Sequence, residues 1–188
     1  MPKVIENVRG QLLTEARKQI SEQGYAKTTI RSIANGCKIA VGTVYNYFPS
    51  KEMLIASFVA DDWYRCMKPF HETPPRDAED VLHRIYDMLR GFSAEHRALF
   101  TDPDAEKAFS AIFSTRHRQL RDQLAELILP FCTGDASPSF LSSFLAESVL
   151  TWTMAGESFD RIFSVLGKLL PKQVIKNENI KETNHEQF

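Results

Sequence analysis

The sequence has few cysteines and no long apolar run, and both absences narrow what the protein can be. Its three cysteines are far apart and odd in number: Cys37, Cys66 and Cys132. This usage disfavours a disulfide framework and a zinc cluster, and it suits a reducing compartment. No stretch approaches the roughly 18 uncharged apolar residues of a membrane span. Charged residues also interrupt the N-terminal segment, where a signal peptide would lie. We therefore expect a cytoplasmic protein without a membrane segment, a bound metal or a cofactor.

Signatures of catalysis are also missing from the sequence. It contains no Ser/His/Asp grouping, no glycine-rich phosphate loop and no HExxH pair. The five histidines are dispersed along the chain: His71, His83, His96, His117 and His185. We do not expect an enzyme. A helical enzyme remains an alternative that detectable turnover would favour.

The net charge of −1 conceals an uneven distribution of charge. Residues 1–60 carry eight basic and four acidic side chains, whereas the remainder carries fifteen basic and twenty acidic ones. A basic N-terminal third on an acidic body is typical of a nucleic-acid-binding head. Ordinary scatter of surface charge is the other explanation.

Apolar residues recur at intervals of three and four along most of the chain, and no segment alternates as a half-buried strand does. In the first such segment, 4–23, one helix face carries Ile5, Val8, Leu12, Ala16 and Ile20. Gly24 fits a C-cap there, because glycine enters the left-handed conformation without steric cost. The sequence therefore predicts an all-α protein of about nine helices.

The other predicted helices are separated by prolines, glycines and polar turns. They span residues 30–35, 41–48, 51–67, 78–92, 94–100, 103–130, 139–154 and 157–170. The clearest break is the proline-rich segment 68–76. We expect a three-helix head at 1–50, a helical body at 51–176 that the helix 51–67 joins to the head, and a polar tail at 177–188.

Residues 24–54 carry the strongest functional signal. They read GYAKTTIRSIANGCKIAVGTVYNYFPSKEML and predict two short helices around a tight turn, with Thr28 or Thr29 capping the first. Helices this short need packing against another helix. The second begins with small residues, so its N-terminus can approach another surface closely, and polar and aromatic groups surround it. A helix-turn-helix places such a second helix in the major groove of DNA.

This segment resembles the N-terminal signature of the tetracycline-repressor (TetR) family. The resemblance rests on Gly24-Tyr25, Thr28-Thr29-Ile30, Ile33-Ala34, Gly42-Thr43-Val44-Tyr45, Tyr47-Phe48, Lys51-Glu52 and Leu54. It covers residues 5–60, and beyond them only the helical pattern and the length agree. The resemblance implies an N-terminal helix-turn-helix head and a C-terminal antiparallel helical body for effector binding and dimerisation.

The resemblance also implies which residues touch a DNA operator. They are Thr28, Thr29, Lys38, Val41, Gly42, Thr43, Tyr45, Asn46, Tyr47 and Lys51. Thr28 and Thr29 would cap the second helix and touch a phosphate. Gly42 would allow close approach to the DNA, and Tyr47 and Lys51 would bind phosphates.

For the other predicted contacts the sequence leaves alternatives open. Val41 and Thr43 would face base edges or the backbone. Tyr45 either packs or contacts DNA, and the amide of Asn46 can pair with adenine if it points outward. Lys38 contacts the DNA backbone or is an ordinary solvated lysine.

Two departures from the family pattern concern the turn and the recognition helix. Cys37 and Lys38 stand where the turn usually has small residues and glycine, which predicts a slightly strained or differently shaped turn. Ala40 replaces the usual Ser or Thr cap, and loss of that hydroxyl costs about 0.5–2 kcal/mol.

One helix-turn-helix rarely supplies enough contact, so we expect a homodimer on palindromic half-sites about 34 Å apart. The two apolar C-terminal helices are candidates for the interface, since two copies would pair into a four-helix bundle. Closure of the monomer core by these helices is the alternative. The candidate interface residues are Phe140, Leu141, Leu145, Phe159, Ile162, Phe163 and Leu166.

The resemblance further implies a pocket for a small-molecule effector in the body. The candidate lining residues are Trp63, Tyr86, Phe92, Phe109, Phe113, Phe144 and Trp152. Such a group suits an apolar or aromatic ligand, and plain core packing is the alternative for each member. We expect a repressor that leaves its operator when the effector binds. The rival hypothesis is the same fold binding DNA or a protein partner without an effector.

Overall fold

The computed structural model describes residues 7–170, at 110–115 by the backbone alone, and this part of the chain is all-α as predicted. Its helices are α1 Val8–Lys27, α2 Ile30–Gly36, α3 Val41–Tyr47, α4 Lys51–Glu72, α5 Ala78–Glu95, α6 Arg97–Phe100, α7 Pro103–Ile128, α8 Pro138–Met154 and α9 Phe159–Leu166. A 3-10 turn at Leu129–Phe131 follows α7. The predicted tail at 177–188 and the first residues of the predicted helix 4–23 lie outside the described residues.

Helices α1, α2 and α3 pack with the start of α4 around one apolar core. Ile33, Ala34 and Val44 are fully buried and hold the two short helices in place. The other buried members from the head are Leu12, Leu13, Ala16, Ile20, Tyr25, Ile30 and Phe48.

Helix α1 bends at Gly24, whose φ of 80° and ψ of 173° suit glycine. The predicted end of the helix at this residue is therefore only partly right, since one further turn carries the chain to Lys27. The hydroxyl of Thr28 donates to the carbonyl oxygen of Gly24 over 2.8 Å and secures the bend.

Helix α4 corrects the predicted break after residue 67, because it continues through Pro69 to Glu72. Proline removes one helical hydrogen bond, and a side chain of α5 caps the end of the helix beyond it. The Arg84 guanidinium donates to the carbonyl oxygens of Thr73 and Pro69 over 2.8 and 3.1 Å. Phe70 is buried under the same guanidinium, whose carbon lies 4.7 Å from the ring centre. Burial and this cap extend the helix past its proline.

A second apolar core forms where α5, α7, α8 and α9 pack with the end of α4. The predicted bounds of three helices are wrong here. Helix α5 runs on to Glu95, so that α6 shortens to Arg97–Phe100. Helix α9 begins only at Phe159, where Ser158 caps it, and it ends at Leu166 before Gly167. None of the helices in the described part of the chain combines the length and the apolar character needed to cross a membrane.

The two cores meet along α4, α6 and α7. Val59 and Phe100 pack against both of them, and Phe109 of α7 is buried in the core of the head. Asp102 caps α7, accepting through Oδ1 from the amide of Ala105 over 3.2 Å. Its Oδ2 accepts from the amide of Tyr25 over 3.2 Å. The same carboxylate thus joins the end of α1 to the start of α7.

Candidate functional site

Helix α2 is held by a capping box at its N-terminus. Thr29 accepts from the amide of Ser32 over 3.0 Å, and the Ser32 hydroxyl accepts from the amide of Thr29 over 3.0 Å. Thr29 is exposed and stays a candidate phosphate contact. Thr28 is fully buried, and its hydroxyl is bonded to Gly24. The prediction that Thr28 caps α2 and touches a phosphate is therefore wrong.

The turn between α2 and α3 is tight and carries backbone strain. Lys38 adopts a left-handed φ of 57°, which costs a non-glycine residue free energy. Its amide donates to the carbonyl of Asn35 over 3.0 Å, and the Ile39 amide donates to that of Ala34 over 3.0 Å. The strain expected from a lysine in this turn is confirmed. The side chain of Lys38 is exposed, so it is available to the DNA backbone.

Helix α3 presents most of its surface to solvent. Val44 is its buried anchor, whereas Gly42, Asn46, Tyr45 and Tyr47 are exposed, the two tyrosines by 52% and 47%. Tyr45 is therefore outside the buried core of the head, and its exposed side stays a candidate DNA contact. A Cβ built on Gly42 meets no described atom within 4 Å. This outer face is free to enter a groove.

Val41 and Thr43 are half-buried at the start of α3, so they offer less surface to DNA than the exposed residues of the same helix. Ala40 forms the N-cap with φ −71° and ψ 143°, and no side chain caps the helix there. The predicted loss of the capping hydrogen bond at Ala40 is thus confirmed.

Replacing Ala40 by serine is expected to stabilise the protein. The backbone of Ala40 already has the extended conformation of an N-cap, so a hydroxyl there can accept from an amide of the first turn. We expect the free energy of unfolding to rise by about 1 kcal/mol, measured by urea denaturation. Ala40→Val is the control, since it adds bulk without an acceptor. Equal stability of the two variants would contradict the capping argument.

Lys51, a predicted phosphate ligand, is half-buried at the start of α4. Its Nζ donates to the carbonyl oxygen of Tyr25 over 3.0 Å and lies 3.5 Å from the centre of that ring. Burial lowers the pKa of Lys51. The Tyr25 hydroxyl donates to Glu52 over 2.8 Å, and burial raises the pKa of Tyr25. One N–H of the Lys51 ammonium is bonded to the Tyr25 carbonyl oxygen, so only its other N–H groups can donate to a phosphate.

The body contains a cavity of about 980 Å³ between α4, α5, α6, α7 and α8. Of the predicted lining residues, Trp63, Phe92 and Phe109 border it. The Trp63 indole donates to Gln123 over 2.7 Å on its wall. The side chain of Phe113 lies outside the described part of the structure. The aliphatic walls, which sequence reasoning missed, include Ile55, Ala56, Val59, Leu89, Leu120 and Leu150.

Three other predicted pocket residues lie elsewhere. Tyr86 is buried beside α9, where its hydroxyl donates to the carbonyl oxygen of Glu157 over 3.2 Å. Phe144 lies on the outer side of α8, 45% exposed. Trp152 packs against the body core from its edge. The prediction that these three line the cavity is wrong, because α5 and α8 point other faces towards it.

The outer side of α8 carries an exposed apolar surface. Phe140 is 75% exposed, and Phe144 follows one turn later. Leu141, Phe159 and Phe163 are half-buried and pack against the body core. Leu145, Ile162 and Leu166 are fully buried within the single chain, so placing them in a dimer interface was wrong. These three close the monomer core instead.

One exposed cation in the head was missed. Arg31, the second residue of α2, is exposed two positions after Thr29. The sequence contained the signal for it, since Arg31 lies in the first turn of α2, at the same end of the helix as the Thr29 cap. We add it to the candidate phosphate contacts.

Known proteins resemble this chain in both sequence and structure. The family described as bacterial regulatory proteins, tetR family, matches residues 12–58. The HTH-type transcriptional regulator UidR of Escherichia coli (strain K12) is 36% identical over 153 residues, which is 77% of this chain and 77% of UidR. HbdR of Aromatoleum sp. (strain CIB), also an HTH-type transcriptional regulator, is 32% identical over 84 residues, or 45% of this chain and 35% of HbdR. The chain thus spans about a third of HbdR.

A solved structure has a similar fold. FadR of Thermus thermophilus, a TetR family transcriptional repressor in complex with lauroyl-CoA, superposes with a TM-score of 0.52 and 22% sequence identity. The match covers 86% of this chain and 92% of that one. This likeness concerns the fold, whereas the similarity to UidR extends well beyond the head.

Proposed function

The chain belongs to the TetR family of DNA-binding transcriptional regulators, and we propose that it is a homodimeric repressor that a small apolar or aromatic effector releases from its operator. The exposed outer face of α3 carries this proposal. Gly42, Tyr45, Asn46 and Tyr47 contribute little to the core of the head, yet they share one short helix that Val44 anchors. We place the protein in the cytoplasm, where it would meet its operator DNA.

The proposed contacts divide by chemistry. Gly42 lets the helix approach the base edges, and the amide of Asn46 has the donor and acceptor that adenine requires. Tyr47, Thr29 and Lys51 are placed to bind phosphates on either side. The exposed cations Arg31 and Lys38 add positive charge that attracts the phosphate backbone of the DNA.

The exposed side of α8 supports dimerisation. Phe140 and Phe144 would be costly to leave in water, and a second copy can cover them with the same pair across a two-fold axis. A dimer places two α3 helices on successive major grooves about 34 Å apart.

The cavity supports the effector. Its volume of about 980 Å³ suits a small molecule, and aromatic and aliphatic side chains form most of its wall. FadR of Thermus thermophilus, with a similar fold, holds lauroyl-CoA. If the protein had no effector, no compound bound in the cavity would change its affinity for DNA. If the protein were an enzyme, it would show turnover.

Binding to selected DNA tests the proposal. A randomised duplex library is enriched on the purified protein, and fluorescence anisotropy then measures affinity for the enriched sequence over a salt series. We expect the logarithm of the binding constant to fall with the logarithm of salt, with a slope of about −0.9 for each phosphate contact. Failure of any sequence to enrich, with equal affinity for all duplexes, would overturn the proposal.

Tryptophan fluorescence tests the effector site separately. The chain has two tryptophans, and only Trp63 borders the cavity among the described residues. We expect a ligand to change the emission of wild type and of Trp152→Phe, but not of Trp63→Phe. The compounds tested are lauroyl-CoA and a panel of neutral aromatic molecules. A compound that releases DNA while Trp63→Phe still responds would place the effector outside this cavity.

A further inference from the structure

A buried carboxylate lies between the head and the body. Asp62, in the middle of α4, has a side chain that is 1% exposed. Arg17 of α1 donates to it twice, from Nε to Oδ2 over 3.0 Å and from Nη2 to Oδ1 over 2.6 Å. Arg65 approaches Oδ1 with Nη1 at 3.0 Å. The paired Arg17 guanidinium therefore fixes the first helix of the head to α4.

His96 approaches the same carboxylate from the body. It occupies the corner between α5 and α6, and its side chain is 3% exposed. The Nε2 atom lies 3.4 Å from Oδ2 of Asp62, yet it makes no hydrogen bond within the described part of the chain. Burial lowers the pKa of His96, which favours the neutral ring. A small shift of the ring that turns Nε2–H towards Oδ2 and shortens the separation would complete a hydrogen bond.

The ring of His96 also touches the wall of the cavity. Its centre lies 4.6 Å from that of Phe92 and 5.8 Å from that of Phe100, and both phenylalanines border the cavity. On the other side Phe58, from the core of the head, stacks on it at 6.0 Å. A molecule that moves Phe92 or Phe100 must therefore move His96.

We propose that His96 and Asp62 form a latch through which the contents of the cavity set the hold of the head on the body. When the cavity wall moves, Oδ2 of Asp62 accepts from the Nε2–H of His96 as well as from Nε of Arg17, and the two donors share its negative charge. The Arg17 contact weakens, and α1 with its two partner helices shifts relative to α4. His96 and Asp62 are positioning residues, and the inference rests on the proposed function, since it explains how an effector reaches the DNA-binding helices.

A metal site is the other interpretation of this cluster. Asp62, Glu95 and His96 offer ligand atoms within 4.8 Å of one another. However, Arg65 donates to Glu95 over 2.9 Å, and two guanidiniums already lie on Asp62. A divalent cation would have to displace both, so the ion-pair latch is favoured.

A double-mutant cycle tests the latch without a known effector. Leu120→Trp on α7 adds volume inside the cavity and stands in for an occupant. His96→Phe keeps an aromatic ring in the packing but removes Nε2, and Asp62→Asn is the second way to break the contact. We expect Leu120→Trp to weaken binding to the enriched duplex by about 5–150-fold in wild type, and by less than about 3-fold in either latch variant. His71→Phe, at an exposed histidine of α4, should leave the full effect.

Hydrogen exchange of the DNA-free proteins separates the latch from the proposed function. Leu120→Trp should raise exchange in α1 around Arg17, and His96→Phe should suppress that rise. Exchange that responds in this way in a protein without sequence-selective DNA binding would support the latch and reject the regulator. Equal effects of Leu120→Trp in all backgrounds, on exchange and on affinity, would overturn the latch. It would also be overturned if Zn²⁺ raised the melting temperature of wild type but not of His96→Phe.

Discussion

A protein with Phe140→Lys and Phe144→Lys together is expected to be monomeric and to lose about 10²–10⁴-fold in affinity for a two-half-site duplex. The two phenylalanines form the exposed apolar side of α8, and like charges facing across a two-fold axis prevent pairing. Two linked heads bind far more tightly than one, because the second contact is intramolecular. Analytical ultracentrifugation and anisotropy measure the two quantities.

The choice of lysine makes this result informative. Added positive charge favours DNA, so a loss of affinity cannot come from repulsion by phosphates. Leu129→Lys is the control, since Leu129 is an exposed apolar residue outside α8, in the 3-10 turn that follows α7. A dimeric double variant with unchanged affinity would show that another surface makes the interface.

Gly42→Glu is expected to abolish sequence-selective binding while leaving the fold intact. No described atom lies within 4 Å of a Cβ at this position, and a carboxylate in the first turn of a helix is electrostatically favourable. On DNA, however, the same side chain occupies the gap between α3 and the groove and repels the phosphates. Loss of two contacts at about 1–3 kcal/mol each lowers affinity by at least ~30-fold.

A matched variant isolates the cause. Gly91→Glu makes the same substitution at an exposed glycine of α5, where a Cβ also meets no described atom within 4 Å. It should bind DNA like wild type, and both variants should melt at or above the wild-type temperature. Equal loss of DNA binding in Gly42→Glu and Gly91→Glu would show that α3 does not contact the DNA.

Local rules predicted the head well. A capping threonine, a short apolar period and the turn residues between the helices located α2 and α3. Ser50 caps α4, its hydroxyl accepting from the amide of Met53 over 3.2 Å. These features act within one or two turns of chain, so the sequence contains the whole cause. The two adjacent threonines show the limit of this reasoning. Only the bend at Gly24 decides that Thr28 turns inward while Thr29 caps the helix.

Tertiary contacts explain the predictions that failed. The sequence predicts a break at Pro69, but Arg84, fifteen residues away, caps the carbonyl groups at the end of the helix. Leu145 and Phe144 are neighbours of equal apolar character, yet one faces the core and the other solvent. That choice depends on how α8 is rotated against α7, which periodicity alone does not fix.

The latch was also beyond sequence reasoning. Asp62 is one acidic residue in a helix with several, and its partners Arg17 and His96 come from distant segments. Spacing along one helix predicts no such contact. The aliphatic walls of the cavity were not predicted for the same reason, since the lining residues come from five helices.

Hydroxyl-radical footprinting on the enriched duplex tests the central claim most directly, that two α3 helices of one dimer enter successive major grooves. We predict two protected segments on one face of the DNA, with centres about 34 Å apart, and loss of both segments in Gly42→Glu. A single protected segment, or an unchanged pattern in Gly42→Glu, would contradict the account.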